Sequence, residues 1–151
     1  MNHVDDYIMV ENLIPAQLCK SLIKEASLKK WSKHSWSNYD QESNPQKAEE
    51  ELDVIDATME QFKMVEKYLL GIIEKYQQKY SPEEGQAYGK WIKNISQLRF
   101  NRYKVGTQMK THYDHIHTLF DGKYKGIPIL SFVGLLNDNY KGGEFICRKK
   151  E

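Results

Sequence analysis

The hydrophobic period of the chain changes at residues 97–103. This stretch reads Gln97-Leu98-Arg99-Phe100-Asn101-Arg102-Tyr103. Leu98 and Phe100 fall on one side of the pattern, and polar residues up to Tyr103 fall on the other. A period of two over this length is typical of a half-buried β-strand. If the polar side faces inward, it needs a reason other than packing.

Two helices are predicted before this strand. The first opens at Pro15, a residue type suited to the first turn of a helix. Its apolar residues recur at spacings of three and four: Leu18, Leu22, Ile23 and Ala26. The second starts with a capping-box pattern and continues as an apolar stripe to about Tyr80. The capping-box residues are Thr58-Met59-Glu60-Gln61.

The segment between the two helices, Lys30 to Glu51, loses all periodicity and is rich in polar residues. Such composition predicts a long surface connection. His34 lies in this segment and has no acidic residue or histidine at ligand spacing, so we assign no function to it.

Strands are predicted to follow residues 97–103. A turn at Lys104–Thr107 leads into an extended run, Gln108 to Asp114. Ile127 to Leu136 is almost continuously apolar, as expected of a strand buried on both faces. Glu144 to Cys147 resumes an extended pattern after a turn. Helices followed by strands predict one α+β domain over residues 1–151, with 1–90 mainly helical support and 91–151 the strand half of a mainly antiparallel sheet. A sheet so incomplete would expose apolar surface on the Ile127 to Leu136 strand.

Composition excludes several classes of function. Twenty-two Lys and Arg against twenty-one Asp and Glu leave a net charge of +1, which gives no broad attraction to nucleic acid or to an anionic membrane. The acidic start has no signal-peptide pattern, and no apolar run reaches the length of a membrane span. We therefore expect a cytoplasmic protein. Two distant cysteines indicate no disulfide framework, and no residue pattern indicates an oligomeric state.

Residues 112–117 hold three of the five histidines of the chain. If the backbone is extended, His112 and Asp114 share one face and can converge on one cation. They would be two members of the 2-His-1-carboxylate triad of non-haem Fe(II) oxygenases. His115 and His117 would face the opposite way, so we expect them in the following loop.

Several motifs occur in an order that resembles prolyl 4-hydroxylase-like Fe(II)/2-oxoglutarate-dependent dioxygenases. The resemblance covers roughly residues 97–147. It rests on Arg102-Tyr103, Gly106, His112-x-Asp114, Leu136-Asn137 and Gly142-Gly143-Glu144. It implies a double-stranded β-helix, or jelly roll, with the N-terminal helices packed on its major sheet. Because that core would be incomplete here, we expect only its first half.

The resemblance also implies a site and a reaction. His112 and Asp114 match the first two iron ligands, and Tyr103 matches a residue that lines the 2-oxoglutarate pocket. The implied cofactor is Fe(II), with 2-oxoglutarate and O2 as cosubstrates, ascorbate as reductant, and a peptide or small molecule as the hydroxylated substrate. Leu135 departs from members that carry a second pocket tyrosine. The family's distal histidine and its Arg or Lys for 2-oxoglutarate are absent up to Glu151, so we expect a chain cut short before them.

Two other functions remain open. One is a non-catalytic relic or binding module that keeps the helices and half the sheet. The other is a simple divalent-metal-binding protein that uses the His-rich segment for zinc, which suits imidazole and carboxylate ligands. In that case the ligands would be His112, Asp114, His115 and His117.

Overall fold

The computed structural model describes residues 8–36, 46–47, 51–80, 92, 94–112 and 130–147. Within them the chain forms two helices and small antiparallel sheets, which confirms the α+β class. No helix in these residues is both long and apolar enough to span a membrane. The finer prediction of a double-stranded β-helix stays a prediction.

Helix α1 spans Ala16–Ser27 and confirms the first predicted helix. It starts directly after Pro15 and buries three residues at spacings of three and four, Cys19, Leu22 and Ala26. The indole N–H of Trp31 donates to the Ala26 carbonyl at 3.1 Å. The same carbonyl accepts from the Lys29 backbone N–H at 3.1 Å. Both donors satisfy a carbonyl of the last turn, where helical partners run out.

Helix α2 spans Met59–Tyr80, as the apolar stripe predicts. The predicted capping box is confirmed in both directions. The Gln61 backbone N–H donates to Thr58 Oγ1 at 3.2 Å, and the Thr58 backbone N–H donates to Gln61 Oε1 at 3.0 Å. Gln61 also joins the two helices, because its amide donates to Glu25 at 2.9 Å and accepts from Lys29 at 3.1 Å.

A three-stranded antiparallel sheet has the order β1-β4-β5. Its strands are β1 (Ser32–Lys33), β4 (Asp53–Asp56) and β5 (Arg99–Arg102). Strand β5 confirms the predicted strand, with Phe100 half-buried between exposed neighbours. Asp53 pairs with Lys33 on one side and with Arg102 on the other. Since directly opposed residues share a face of a sheet, these three charged side chains form one row.

A second sheet pairs β2 (Ser35–Trp36) with β3 (Gln46–Lys47). Strands β1, β2 and β3 all lie in the segment predicted as a surface connection, so that prediction is wrong. The physical reason is length: a strand of two residues is too short to show a period of two. Such strands are fixed by their partners and not by their own pattern.

The predicted strand at Ile127 to Leu136 is wrong for its described part, residues 130–136, which pair with no strand. Residues 108–112 and 144–147 also form no strand. The apolar run is not buried on both faces: Val133 is 67% exposed and Leu135 is 71% exposed. The expectation of exposed apolar surface in this run is confirmed. An apolar run alone predicts burial, but burial needs a facing partner surface.

The core of the helical half lies under α2. Ile73 and Ile92 are buried against each other, and three partly buried residues pack on them, Leu70, Ile95 and Leu130. Leu130 therefore contacts the core, although residues that follow it in the same segment are exposed. Leu52 and Ala57, which flank β4, are also buried.

Candidate functional site

The structure describes two of the predicted site residues. Tyr103 directly follows β5 and is half-exposed, and its hydroxyl donates to Met109 Sδ at 3.7 Å. His112 is exposed. Asp114 lies outside the described residues, as do His115 and His117.

A tight turn returns the chain toward Tyr103. The Thr107 N–H donates to the Lys104 carbonyl at 3.0 Å, which confirms the turn predicted at Lys104–Thr107. The Thr107 hydroxyl also donates to this carbonyl at 2.8 Å and accepts from the Lys104 N–H at 3.0 Å. Gly106 has φ +81°, a conformation that glycine adopts without steric cost. The segment after the turn therefore runs back beside β5.

Glu51 fastens this returning segment. Its side chain is buried, and Oε1 accepts a hydrogen bond from the Lys110 backbone N–H at 3.1 Å. The other oxygen, Oε2, lies 4.0 Å from Nε2 of buried His34. That separation is too long for a hydrogen bond, and it would be an ion pair only with a protonated His34. One buried carboxylate thus connects the His34 strand region to the segment that carries His112.

His34 is held in its neutral form. Burial lowers the pKa of His34 below its usual value, Arg99 and His112 lower it further, and Glu51 opposes them by raising it. A desolvated imidazole loses its proton more readily because the charged form is disfavoured away from water. From the sequence we assigned no function to His34, because its acidic neighbour Glu51 is seventeen positions away in the chain.

The His112 ring has a defined orientation. Its Nδ1 lies 2.7 Å from the Lys110 carbonyl oxygen. A carbonyl only accepts, so Nδ1 carries the proton and donates, and the acceptor lone pair of the neutral ring is on Nε2. Which nitrogen of a histidine can bind a metal is set by the hydrogen bond of the other one. In this tautomer Nε2 is the ring nitrogen of His112 that has the lone pair.

Tyr103 keeps its proton at neutral pH. Burial raises the pKa of Tyr103 above its ordinary value; Arg99 acts in the opposite direction, and Glu51 raises it further. A protonated phenol is a hydrogen-bond donor. Tyr103 can therefore donate to an anionic oxygen of a bound ligand.

Three cations surround Asp53. Asp53 shares a sheet face with Arg102, and the next residue, Tyr103, points to the other face by the alternation of a strand. Asp53 is buried and contacts Lys33 Nζ at 2.9 Å, Arg102 Nη2 at 2.8 Å and Lys104 Nζ at 3.2 Å. The Arg102 guanidinium also lies 4.3 Å from the centre of the Trp31 ring. The hydrogen bonds from Arg102 and Lys33 hold the pKa of the Asp53 carboxyl well below its usual range, with a smaller lowering by Lys104. The sequence did not predict this cluster, because Lys33 and Asp53 are twenty positions apart and both are far from Arg102 in the chain.

Within the described ranges, no three His, Cys, Asp or Glu side chains converge closely enough to hold a metal ion. Two contacts bring predicted and unpredicted residues together. Met109 contacts Tyr103, and Lys110 is bonded both to His112 and to Glu51 of the His34–Glu51 pair. These contacts do not assemble a full ligand set.

No family model matches this chain, and neither a curated protein nor a solved structure matches it. The argument for function therefore rests on the motifs of the chain and on the geometry around them.

Proposed function

We propose that this chain is an Fe(II)/2-oxoglutarate-dependent dioxygenase of the prolyl 4-hydroxylase-like type, which acts in the cytoplasm on a peptide or small molecule. The observation that carries the proposal is the 2.7 Å hydrogen bond between His112 Nδ1 and the Lys110 carbonyl. Histidines that bind metals almost always donate their other ring N–H to a carbonyl, a carboxylate or water. The bond supports His112 as a ligand through Nε2, as the His112-x-Asp114 motif requires.

The iron would be held by His112 and, by the motif alone, by Asp114. When bound, iron with 2-oxoglutarate and O2 supplies the oxidation of a substrate C–H bond, with ascorbate as reductant. The chain itself orients the ligand. The Lys110 carbonyl anchors the His112 ring, and the Lys110 N–H is bonded at 3.1 Å to Glu51, which lies two residues before β4.

Tyr103 would bind the cosubstrate. Its hydroxyl remains protonated at neutral pH, and its half-exposed ring lies beside the segment that leads to His112. To bind 2-oxoglutarate, the hydroxyl would give up its weak contact with Met109 Sδ and donate to a carboxylate oxygen. A hydrogen bond to a charged acceptor is stronger than one to a thioether, so the exchange is favourable.

An anaerobic titration tests the proposal. Adding Fe(II) and then 2-oxoglutarate to the product of the whole coding frame should give a visible charge-transfer band, and His112→Ala should abolish it; the isolated 151-residue chain should be weakly active or inactive. A matched control is His3→Ala, which removes a histidine outside the motif and should leave the band unchanged. Tyr103→Phe should weaken 2-oxoglutarate binding about two- to tenfold, the value of one hydrogen bond, without changing the affinity for Fe(II).

The same titration separates the alternatives. A simple zinc-binding protein would bind zinc tightly without 2-oxoglutarate, and this affinity would fall in the double variant His115→Ala/His117→Ala. A binding module would give neither the band nor zinc binding. The product of the whole coding frame should show the band and should form succinate from 2-oxoglutarate in air. If it does neither, the proposed dioxygenase function is refuted.

A further inference from the structure

One face of β5 carries a row of exposed polar side chains. Arg99, Asn101 and the following Tyr103 belong to this face, because residues two apart on a strand point the same way. Arg99 and Asn101 are exposed, and Tyr103 is 51% exposed. Phe100 alternates with them and is half-buried. A ligand can therefore reach an arginine, an amide and a phenol along one line of the sheet.

Arg99 has donors to offer to a ligand. In the described part of the chain, its side chain makes a single hydrogen bond, from Nε to Asn101 Oδ1 at 2.9 Å. Asp56 is its partner in the register of β4 and β5, yet no ion pair joins the two side chains. A guanidinium is a planar fork of N–H donors. With only Nε engaged, both Nη atoms remain open to an acceptor.

The bond to Asn101 also directs the arginine toward Tyr103. Positions 99 and 103 are about 13 Å apart along an extended strand, but positions 101 and 103 are only about 7 Å apart. Because Arg99 bonds to the side chain of Asn101, its guanidinium lies on the Tyr103 side of its own backbone. Burial raises the pKa of Tyr103 and the charge of Arg99 acts against it, so the two groups are within electrostatic range. Charge-assisted hydrogen bonds are about 2.7 to 2.9 Å long, so the two oxygens of one carboxylate can accept from both groups.

We propose that Arg99 and Tyr103 form a binding site for the carboxylate group of a small organic acid, either the cosubstrate or the substrate. The arginine fork matches the geometry of a carboxylate, and the phenol donates to its second oxygen. A carboxylate fits better than a dianionic phosphate, because Asp56 across the sheet repels a second negative charge. The inference rests on the proposed function, since it adds a cation to the ligand-binding role of Tyr103.

The test is a titration of the chain with glutarate at constant ionic strength, with chloride as the reference salt. Glutarate has carboxylates but no keto group, so its binding does not require iron. NMR follows two resonances, the Arg99 Nε–H and the Tyr103 ring, so that each group reports on variants of the other. Glutarate should shift both resonances saturably and with one dissociation constant.

Four variants measure the contributions. Arg99→Gln should weaken glutarate binding about tenfold, the value of one hydrogen bond to a charged group. Arg99→Lys should lose less, because it keeps the charge without the fork. Asp56→Asn should tighten binding about two- to fivefold, because it removes a like charge near the ligand. Lys63→Gln removes an exposed lysine of α2 and is the matched control, which should bind as the wild type does.

Two arms identify the source of the carboxylate. If 2-oxoglutarate displaces glutarate, the group belongs to the cosubstrate. The affinity for 2-oxoglutarate, measured by the charge-transfer band of the product of the whole coding frame, should then fall in Arg99→Gln. If glutarate still binds at saturating 2-oxoglutarate, the group belongs to the substrate.

Three results would overturn the proposal. They are a shift that chloride reproduces, a shift that does not saturate, and wild-type affinity in folded Arg99→Gln. Far-UV circular dichroism establishes that each variant is folded. If Arg99→Gln unfolds, Asp56→Asn decides the question, because its affinity must exceed that of the wild type. Glutarate binding without the charge-transfer band refutes only the dioxygenase, whereas a band with unchanged glutarate affinity in Arg99→Gln refutes only this site.

Discussion

Replacement of Gln61 by alanine should be among the most damaging single polar substitutions in the described part of the chain. The Gln61 side chain is 2% exposed and takes part in three hydrogen bonds, to the Thr58 N–H, Lys29 and Glu25. Loss of the capping acceptor costs about 1 kcal/mol. Lys29 and Glu25 regain water in part, so each of their lost bonds costs about 0.5 to 1 kcal/mol. The free energy of unfolding should fall by about 2 to 3 kcal/mol.

The assay is urea unfolding followed by circular dichroism, with two comparison variants. Gln78→Ala removes the same side chain from an exposed position of α2 and should change the free energy of unfolding by less than about 0.5 kcal/mol. Gln61→Glu keeps the acceptor for Thr58 and Lys29 but sets a carboxylate against Glu25, so its loss should be intermediate. The reasoning is refuted if Gln61→Ala and Gln78→Ala have the same midpoint.

Three further predictions concern stability. Leu22→Ala, at 1% exposure, should lose about 2 to 5 kcal/mol of unfolding free energy in urea, whereas Leu28→Ala, at 82% exposure, should lose almost none; equal losses would contradict the assigned core. Gly106→Ala should destabilise by about 1 kcal/mol because its φ is +81°; the cost comes from the backbone alone, since no atom crowds the added methyl group. Gly71→Ala, in mid-helix, should instead stabilise by about 0.5 to 1 kcal/mol in thermal unfolding. The cations around Asp53 lower its pKa in the folded state, so the unfolded state binds the proton first as pH falls. The ion pairs of Asp53 therefore stabilise the fold fully above the unfolded-state pKa of about 3.9, and this stabilisation is lost as pH falls below it. Asp53→Asn should therefore be less stable than wild type at pH 7, with the difference shrinking below about pH 4 in unfolding measured across pH; a constant difference would argue against ion pairing.

Local sequence signals predicted the elements that are fixed locally. Helix α2 carries its own start signal in Thr58 and Gln61 and a long apolar stripe, and both are visible within one segment. Strand β5 shows its alternation around Phe100. The turn at Gly106 depends on one residue type with a permitted positive φ. In each case, the interactions that define the element join residues a few positions apart.

The missed elements depend on partners far along the chain. Strands β1 and β4 are two and four residues long, so their identity comes from pairing with each other and with β5. The opposite error concerns the apolar run that ends at Leu136. Its residues favour a strand, but the described part of this run pairs with no strand, and Val133 and Leu135 lie exposed.

The sequence by itself determined the α+β class, both helices, the strand before Tyr103 and the motif that includes His112. These follow from periodicity and side-chain chemistry within short windows. Only the tertiary structure decided that Glu51 anchors the segment of His112 and that Asp53 gathers three cations from positions up to 71 residues apart, as from Lys33 to Lys104. Antiparallel pairing of β1, β4 and β5 creates these contacts, because it places residues of distant segments opposite one another on one face.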